Sequence, residues 1–265
     1  MKDTTVQGPQ ATGFGPDEKA SYKKTDGRDL KAHIFYPKNN GGPQLNSAFV
    51  FFHPGGWTMG EPLWGYDWCD HYASLGMTAL SFEYRLSSIG GVSPIDALRD
   101  VKSAIRWTRI NREKLNIEPD RIAAGAISAG AHLAACAASI DGYDDPRDDK
   151  KIRSVPNALA LQSACLNTVI VDEFTVLLQG RDEAKNLSPY HHLKPGLPPA
   201  CLIHGTADDI VPFDSIKEYA EKSTGLGNRC DLHPFEGTDH FFSRNADPGK
   251  VYLLFDEFFK SLGYI

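Results

Sequence analysis

The chain has 265 residues, 41% of them hydrophobic, and a formal net charge of −6 at neutral pH. That length and apolar content predict one large globular domain with a sizeable core. The acidic balance leaves no basic footprint for nucleic acid or an anionic membrane, and no apolar run approaches the length of a membrane span.

Residues 1–21 read as a polar arm without the apolar core of a signal peptide, so a cytoplasmic protein is expected unless a leader has been removed. Residues 22–265 lack a linker composition, an internal repeat or a low-complexity tract, and are expected to form a single domain. The five cysteines, Cys69, Cys136, Cys165, Cys201 and Cys230, are scattered and contain no C-x-x-C pair. They read as buried small hydrophobes rather than as a zinc site or a disulfide framework.

In chain order, "YKKTDGRDLKAHIFYP" turns at Asp26-Gly27 between two alternating runs, as a hairpin does. "SAFVFFHP" and "MTALSFEYR" are nearly continuous apolar strands, the pattern of a sheet covered on both faces. Ser93-Pro94-Ile95-Asp96 opens a helix with a serine at the N-cap, a proline at the first position and an acid to complete a capping box. Ile95, Leu98, Val101 and Ile105 follow at helical spacing. Strand "DRIAAGAIS" leads into the alanine-rich helix "AGAHLAACAAS". Strands "NALALQS" and "PACLIHG", helix "PFDSIKEYAEKS" and strand "RCDLHPFEG" come next. A last helix carries Val251, Leu254, Phe255, Phe258, Phe259 and Leu262 on one face. Repeated strand-helix units predict a mostly parallel sheet flanked by helices on both faces, with a site outside the carboxyl ends of the strands.

Three loops at such ends carry reactive residues. In "GAISAGAH", Ser128 lies between an apolar strand and a helix of very small residues, as at a nucleophile elbow. Strand and helix nearly touch there, so the positions two before and two after the serine must be small. Gly130 meets the pattern; Ala126 stands where glycine is usual, and a slightly shifted elbow is expected. In "LIHGTADDIVP", a carboxylate on Asp208 is placed to orient a histidine, while Asp209 reads as a helix cap or a solvated group. In "FEGTDHFFS", His240 follows a strand and a glycine turn. The order Ser128, Asp208, His240 is that of the nucleophile, acid and base of an α/β-hydrolase.

This gives "HPGGWTMG" a use. Acyl transfer passes through a tetrahedral oxyanion, which needs backbone N–H donors and a backbone that the substrate can approach. Pro54 has no N–H. The expected donors are therefore Gly55, Gly56 and Ala129, the last at a helix N-terminus. Trp57, Trp64, Tyr66 and Trp68 follow this loop and are candidates to stack on a sugar or an aromatic acyl group, as is Phe241 beside the histidine; packing of some of them against the sheet is the alternative. The segment from about 164 to 198, containing "DEFTVLLQG", is the longest insertion between strands and the candidate pocket wall.

The chain resembles the α/β-hydrolase esterases of the hormone-sensitive-lipase-like and acetyl-esterase-like kind, and within them the bacterial branch of carbohydrate acetyl and feruloyl esterases. The resemblance runs from about Tyr22 to the C-terminus. Its carriers are "HPGGW", "RIAAGAISAGAHLA", "LSPYHHLKPGLPPACLIHGTADDIVPF" and "FEGTDHFF". It implies a triad of Ser128, Asp208 and His240, an oxyanion hole from Gly55, Gly56 and Ala129, no metal or organic cofactor, and a small-molecule or carbohydrate ester as substrate; the helical cap usual in these esterases is expected to be reduced here, because the polar arm shows no apolar periodicity for a docked helix. Pro54 and Ala126 are the departures. An aminopeptidase or lactonase on the same scaffold, or a non-catalytic binding module, are the alternatives.

Overall fold

A computed structural model describes residues 15–25, 27–38 and 45–265. Most of the expected polar arm, and Asp26 of the hairpin turn, lie outside them. Eight strands form one sheet: β1 (Glu18–Thr25), β2 (Arg28–Phe35), β3 (Asn46–Phe52), β4 (Thr78–Phe82), β5 (Ile117–Ile127), β6 (Ala158–Gln162), β7 (Ala200–Gly205) and β8 (Cys230–Phe235). Their order is β1-β2-β4-β3-β5-β6-β7-β8. β1 pairs antiparallel with β2, and β2 antiparallel with β4; every pairing from β4 to β8 is parallel. The helices are α1 (Tyr66–Ser74), α2 (Pro94–Ile110), α3 (Arg112–Leu115), α4 (Ala129–Ser139), α5 (Asp172–Leu177), α6 (Arg181–Asn186), α7 (Phe213–Gly225) and α8 (Pro248–Ser261).

The period-2 alternation of β3 divides the core. Ala48, Val50 and Phe52 join Leu98, Val101, Leu133 and Ile216 under α2, α4 and α7. Phe49 and Phe51 turn the other way, to Tyr72, Val251, Phe255 and Phe259 under α1 and α8. Both faces of the sheet are thus sealed, and its free surface is at the strand ends. The expected start of α2 is met: the Ser93 N–H donates to the Asp96 carboxylate at 3.0 Å, with Pro94 opening the helix. One boundary is corrected. β1 begins at Glu18, inside the expected arm, because Glu18, Lys19, Ala20 and Ser21 pair with Ile34, His33, Ala32 and Lys31. An edge strand with a solvated face tolerates that polar composition. The segment between β6 and β7 carries α5, α6 and a 3-10 turn at Pro189–His192.

Candidate active site

β3 runs out of the sheet into His53, whose ring stacks on Tyr84 at 4.1 Å and 13°. The Tyr84 hydroxyl donates to the His53 carbonyl at 2.8 Å, and His53 Nδ1 is 2.8 Å from the Pro54 carbonyl, to which it donates. Burial pushes His53 down to about 4, so the ring stands neutral beneath the glycine loop. The chain then passes through Gly55 (φ +128°), Gly56 (φ +58°) and Trp57 (φ 62°), and the Met59 N–H closes the turn on the Gly55 carbonyl at 3.0 Å. The Trp57 carbonyl accepts from Ser87 at 2.8 Å. The loop is thereby fixed from below and from the side.

At the end of β5, Ser128 has φ 52° and ψ −117°, a strained conformation for a residue with a side chain. Its N–H donates to the Gln162 carbonyl at 3.0 Å, on the neighbouring strand. A β-carbon on Gly130 would lie 2.1 Å from the Phe52 carbonyl oxygen, so only glycine lets α4 approach β3 this closely. The Ala126 methyl is accommodated: the residue is buried and keeps its register between Phe52 and Leu161. Ala129 opens α4, whose first-turn N–H groups have no partner within the helix.

Ser128 Oγ lies 2.9 Å from His240 Nε2, and His240 Nδ1 lies 2.8 Å from Asp208 Oδ2. Asp208 Oδ1 accepts from the N–H groups of Ile210 and Val211 at 2.9 and 2.8 Å. A second imidazole serves the same carboxylate. His204 Nε2 is 3.0 Å from Asp208 Oδ2 and 2.9 Å from the Val211 carbonyl. Both of those oxygens only accept, so Nε2 carries the proton; His204 Nδ1 is buried with no hydrogen-bond partner among the described residues. Burial raises the Asp208 carboxyl, but the hydrogen bonds from His204 and His240 outweigh it and hold Asp208 well below the usual carboxylate range. Asp209, next in the chain, is exposed. The loops after β7 and β8 meet through backbone: a β-carbon on Gly205 would sit 2.1 Å from the Thr238 carbonyl oxygen, and Ala207 N–H donates to that oxygen at 3.1 Å.

A cavity of about 400 Å³ opens above Ser128. Of the residues singled out in the sequence, Gly55, Gly56, Trp57, Trp64, Ala129, His240 and Phe241 line it. Two aromatics of the cluster lie elsewhere. Tyr66 packs edge-on against Phe35 at 5.1 Å and hydrogen-bonds His33 at 2.6 Å, and Trp68 stacks on Phe51 at 6.2 Å. Both stand on the face of α1 that covers the sheet, so tight spacing in sequence did not bring them to the loop. Met59, Gln162, Cys165, Phe174 and Ile210 also line the cavity. Gln162 ends β6 and Ile210 follows β7, so strand-end position was their one available signal. Among the described residues, no Asp, Glu, Lys or Arg lines the cavity.

A mostly parallel sheet with a serine at a strand-to-helix elbow, and an aspartate and a histidine on two later strand ends, defines the α/β-hydrolases. Residues 32–177 match the BD-FAE family and residues 158–263 the Prolyl oligopeptidase family. The chain belongs to the BD-FAE family, among the esterases of the α/β-hydrolase fold. The apo form of Thermogutta terrifontis esterase 2 is 38% identical, with a TM-score of 0.89 and 97% of each chain covered. A probable isoprenylcysteine alpha-carbonyl methylesterase of Arabidopsis thaliana is 27% identical over 92% of this chain and 56% of its own length. An acetylxylan esterase of Xylanibacter ruminicola is 25% identical over 81% of this chain and 44% of its own. The chain spans about half the length of the curated relatives it matches. Among the described residues no helix is long and apolar enough to cross a membrane, and no group of three or more His, Cys, Asp or Glu side chains is placed to hold a metal ion.

Proposed function

We propose that the chain hydrolyses short-chain or carbohydrate-linked carboxylic esters through an acyl-enzyme on Ser128. The observation that carries this reading is the continuous hydrogen-bonded line from Ser128 Oγ through His240 to Asp208 at the base of an uncharged cavity. His240 Nε2 takes the serine proton as Oγ attacks the ester carbonyl, while Asp208 holds the Nδ1–H tautomer and stabilises the imidazolium. The carbonyl oxygen becomes an oxyanion that the N–H groups of Gly55, Gly56 and Ala129 receive. His240 returns the proton to the departing alkoxide. Water then attacks the acyl-enzyme with His240 again as base, releasing the acid and restoring the serine.

The cavity's scale favours a short acyl group, and the Thermogutta esterase has been solved with propionate and with butyrate bound. Trp64 and the exposed Phe241 offer faces for a sugar or a feruloyl ring at the rim. The aminopeptidase alternative needs a carboxylate to hold a free amino terminus, and among the described residues none lines the cavity. The test is labelling with a fluorophosphonate, followed by rates on nitrophenyl acetate, butyrate and octanoate, methyl ferulate and acetylated xylan. Labelling is expected in the native chain and not in Ser128→Ala, with the fold intact and turnover lower by about 10⁶-fold, the scale of dissected serine-hydrolase triads. Wild-type turnover in Ser128→Ala overturns the reading.

A further inference from the structure

One buried imidazole connects the cap segment to the glycine loop. His132 stands one helical turn beyond Ser128 on α4 and is 1% exposed. Its Nδ1 is 3.2 Å from Trp57 Nε1, and its Nε2 is 2.7 Å from the carbonyl oxygen of Leu187, just past the end of α6. An indole N–H only donates and a carbonyl only accepts. The ring is therefore the Nε2–H tautomer: Nδ1 receives the indole proton, and Nε2–H donates to Leu187. A second ring proton would set donor against donor at Trp57. Burial also pushes His132 down to about 4, so the bridge persists through the neutral range.

The indole is gripped on two sides. His132 meets it edge-on at 5.1 Å and 82°, and Phe174 of α5 meets it at 5.3 Å and 84°. Trp57 and Phe174 both line the cavity above Ser128, and Trp57 directly follows Gly55-Gly56. The cap segment has other anchors. The Cys136 thiol donates to the same Leu187 carbonyl at 3.2 Å, and the Tyr143 hydroxyl to Glu183 at 3.0 Å. Neither reaches the glycine loop; among the described hydrogen bonds, the His132 pair does.

We infer that His132 is a specificity-determining positioning residue: by bridging Trp57 and Leu187 it fixes the spacing between glycine loop and cap, and so sets the acyl length the cavity accepts. This rests on the cavity being the ester site. With the bridge cut, Trp57 loses its polar anchor and the cap keeps only the Phe174 ring contact to that wall, so the space beyond a short acyl group opens to a longer one. The chemistry at Ser128 uses other atoms.

The experiment compares kcat/KM on nitrophenyl octanoate and nitrophenyl acetate in His132→Leu, Trp57→Phe and the double variant, with fluorophosphonate labelling and circular dichroism as checks on site and fold. His132→Leu removes both bonds; Trp57→Phe removes the indole N–H and keeps a ring. In each, the octanoate-to-acetate ratio is expected to rise about tenfold or more, the scale on which a pocket discriminates chain length. The double variant is expected to rise no further than the larger single one, since both cut the same bridge. An unchanged ratio in folded, labelled His132→Leu overturns the inference and leaves ester hydrolysis standing. Where that variant does not fold, an unchanged ratio in Trp57→Phe does the same. A native chain that neither labels nor hydrolyses either ester overturns instead the reading beneath it.

Discussion

The base of the cleft and the segment beside it differ in how firmly they are held. At the base, His240 and Asp208 are 3% and 8% exposed, and the Asp208 carboxylate takes four N–H donors. Its loops are clamped by backbone contacts so close at Gly130 and Gly205 that a single β-carbon would collide. The cap segment rests on α5 and α6, six residues each, too short to be stable as isolated helices. No residue of α5 is buried, and Val176 is 77% exposed. The two regions divide the labour. Groups that meet within hydrogen-bond distance stand where the sheet leaves no freedom, and the cap wall of the cavity stands where few constraints oppose change.

The largest expected effects grade the base itself. Asp208→Asn disfavours the required His240 tautomer and is expected to lower kcat by about 10⁴-fold, as for the equivalent change in a serine protease. His204→Leu removes one charge-assisted donor from the same oxygen, for an expected loss of about 10- to 100-fold in kcat with KM little changed. His204→Gln, which can return an N–H to that place, is expected to recover part of it. Asp209→Asn is expected to cost less than about tenfold, because an exposed side chain with at most a capping role touches none of these atoms. Steady-state kinetics on nitrophenyl butyrate ranks the series. A larger loss at Asp209 than at Asp208 would break the assignment of the carboxylate.

Much of this base was legible because it depends on order and size. Strand ends in sequence order carried Ser128, Asp208 and His240, and the need for small residues marked Gly130. Ser93 and Asp96 announced α2 in four residues. What stayed hidden depends on partners far apart in the chain. His132 meets Leu187 across 55 positions and Trp57 across 75. The link from His204 to Asp208 spans only four, yet no pattern says that a strand-end imidazole turns toward the acid. Tyr66 and Trp68 misled for a related reason: clustering in sequence is silent on which face of α1 meets the sheet. Glu18 to Ser21 read as an arm in sequence because an edge strand can be as polar as a loop.

The second effect, on stability, asks whether the buried histidines are as acid-sensitive as their burial implies. Burial pushes His33, His53 and His132 each down to about 4. Unfolded histidines titrate near 6.5, so between about pH 6.5 and 4 the unfolded chain binds protons that the folded chain refuses. Stability from these groups is full above that window and is lost as pH falls through it. The loss precedes that from the carboxylates held low, Asp145 and Asp208, which begins only as unfolded carboxyls protonate near 4. Scanning calorimetry is expected to show Tm falling by about 5 °C or more between pH 7 and 4.5. A flat Tm over that range would show that these rings are not held neutral in the fold.

The smallest effects belong to the cap segment, where two residues of one short helix separate lining from surface. Phe174 meets the Trp57 ring edge-on and lines the cavity; Val176, two positions on, faces solvent. Phe174→Ala removes one wall of the acyl space and is expected to lower kcat/KM on nitrophenyl butyrate by about 3- to 10-fold, chiefly through KM, because binding surface is lost while the hydrogen bonds at Ser128 are not. Val176→Ser is expected to change that rate by less than about twofold and stability by at most about 0.5 kcal/mol, as exposed substitutions away from special contacts do. The pair is measured by the same assay with a denaturant titration. A kcat loss in Phe174→Ala as large as that of His204→Leu would mean that this segment acts on the reacting groups, and the separation between base and cap would fail. A tenfold loss in Val176→Ser would mean that the outer face of α5 meets substrate, extending the site beyond the cavity onto the exposed side of the cap.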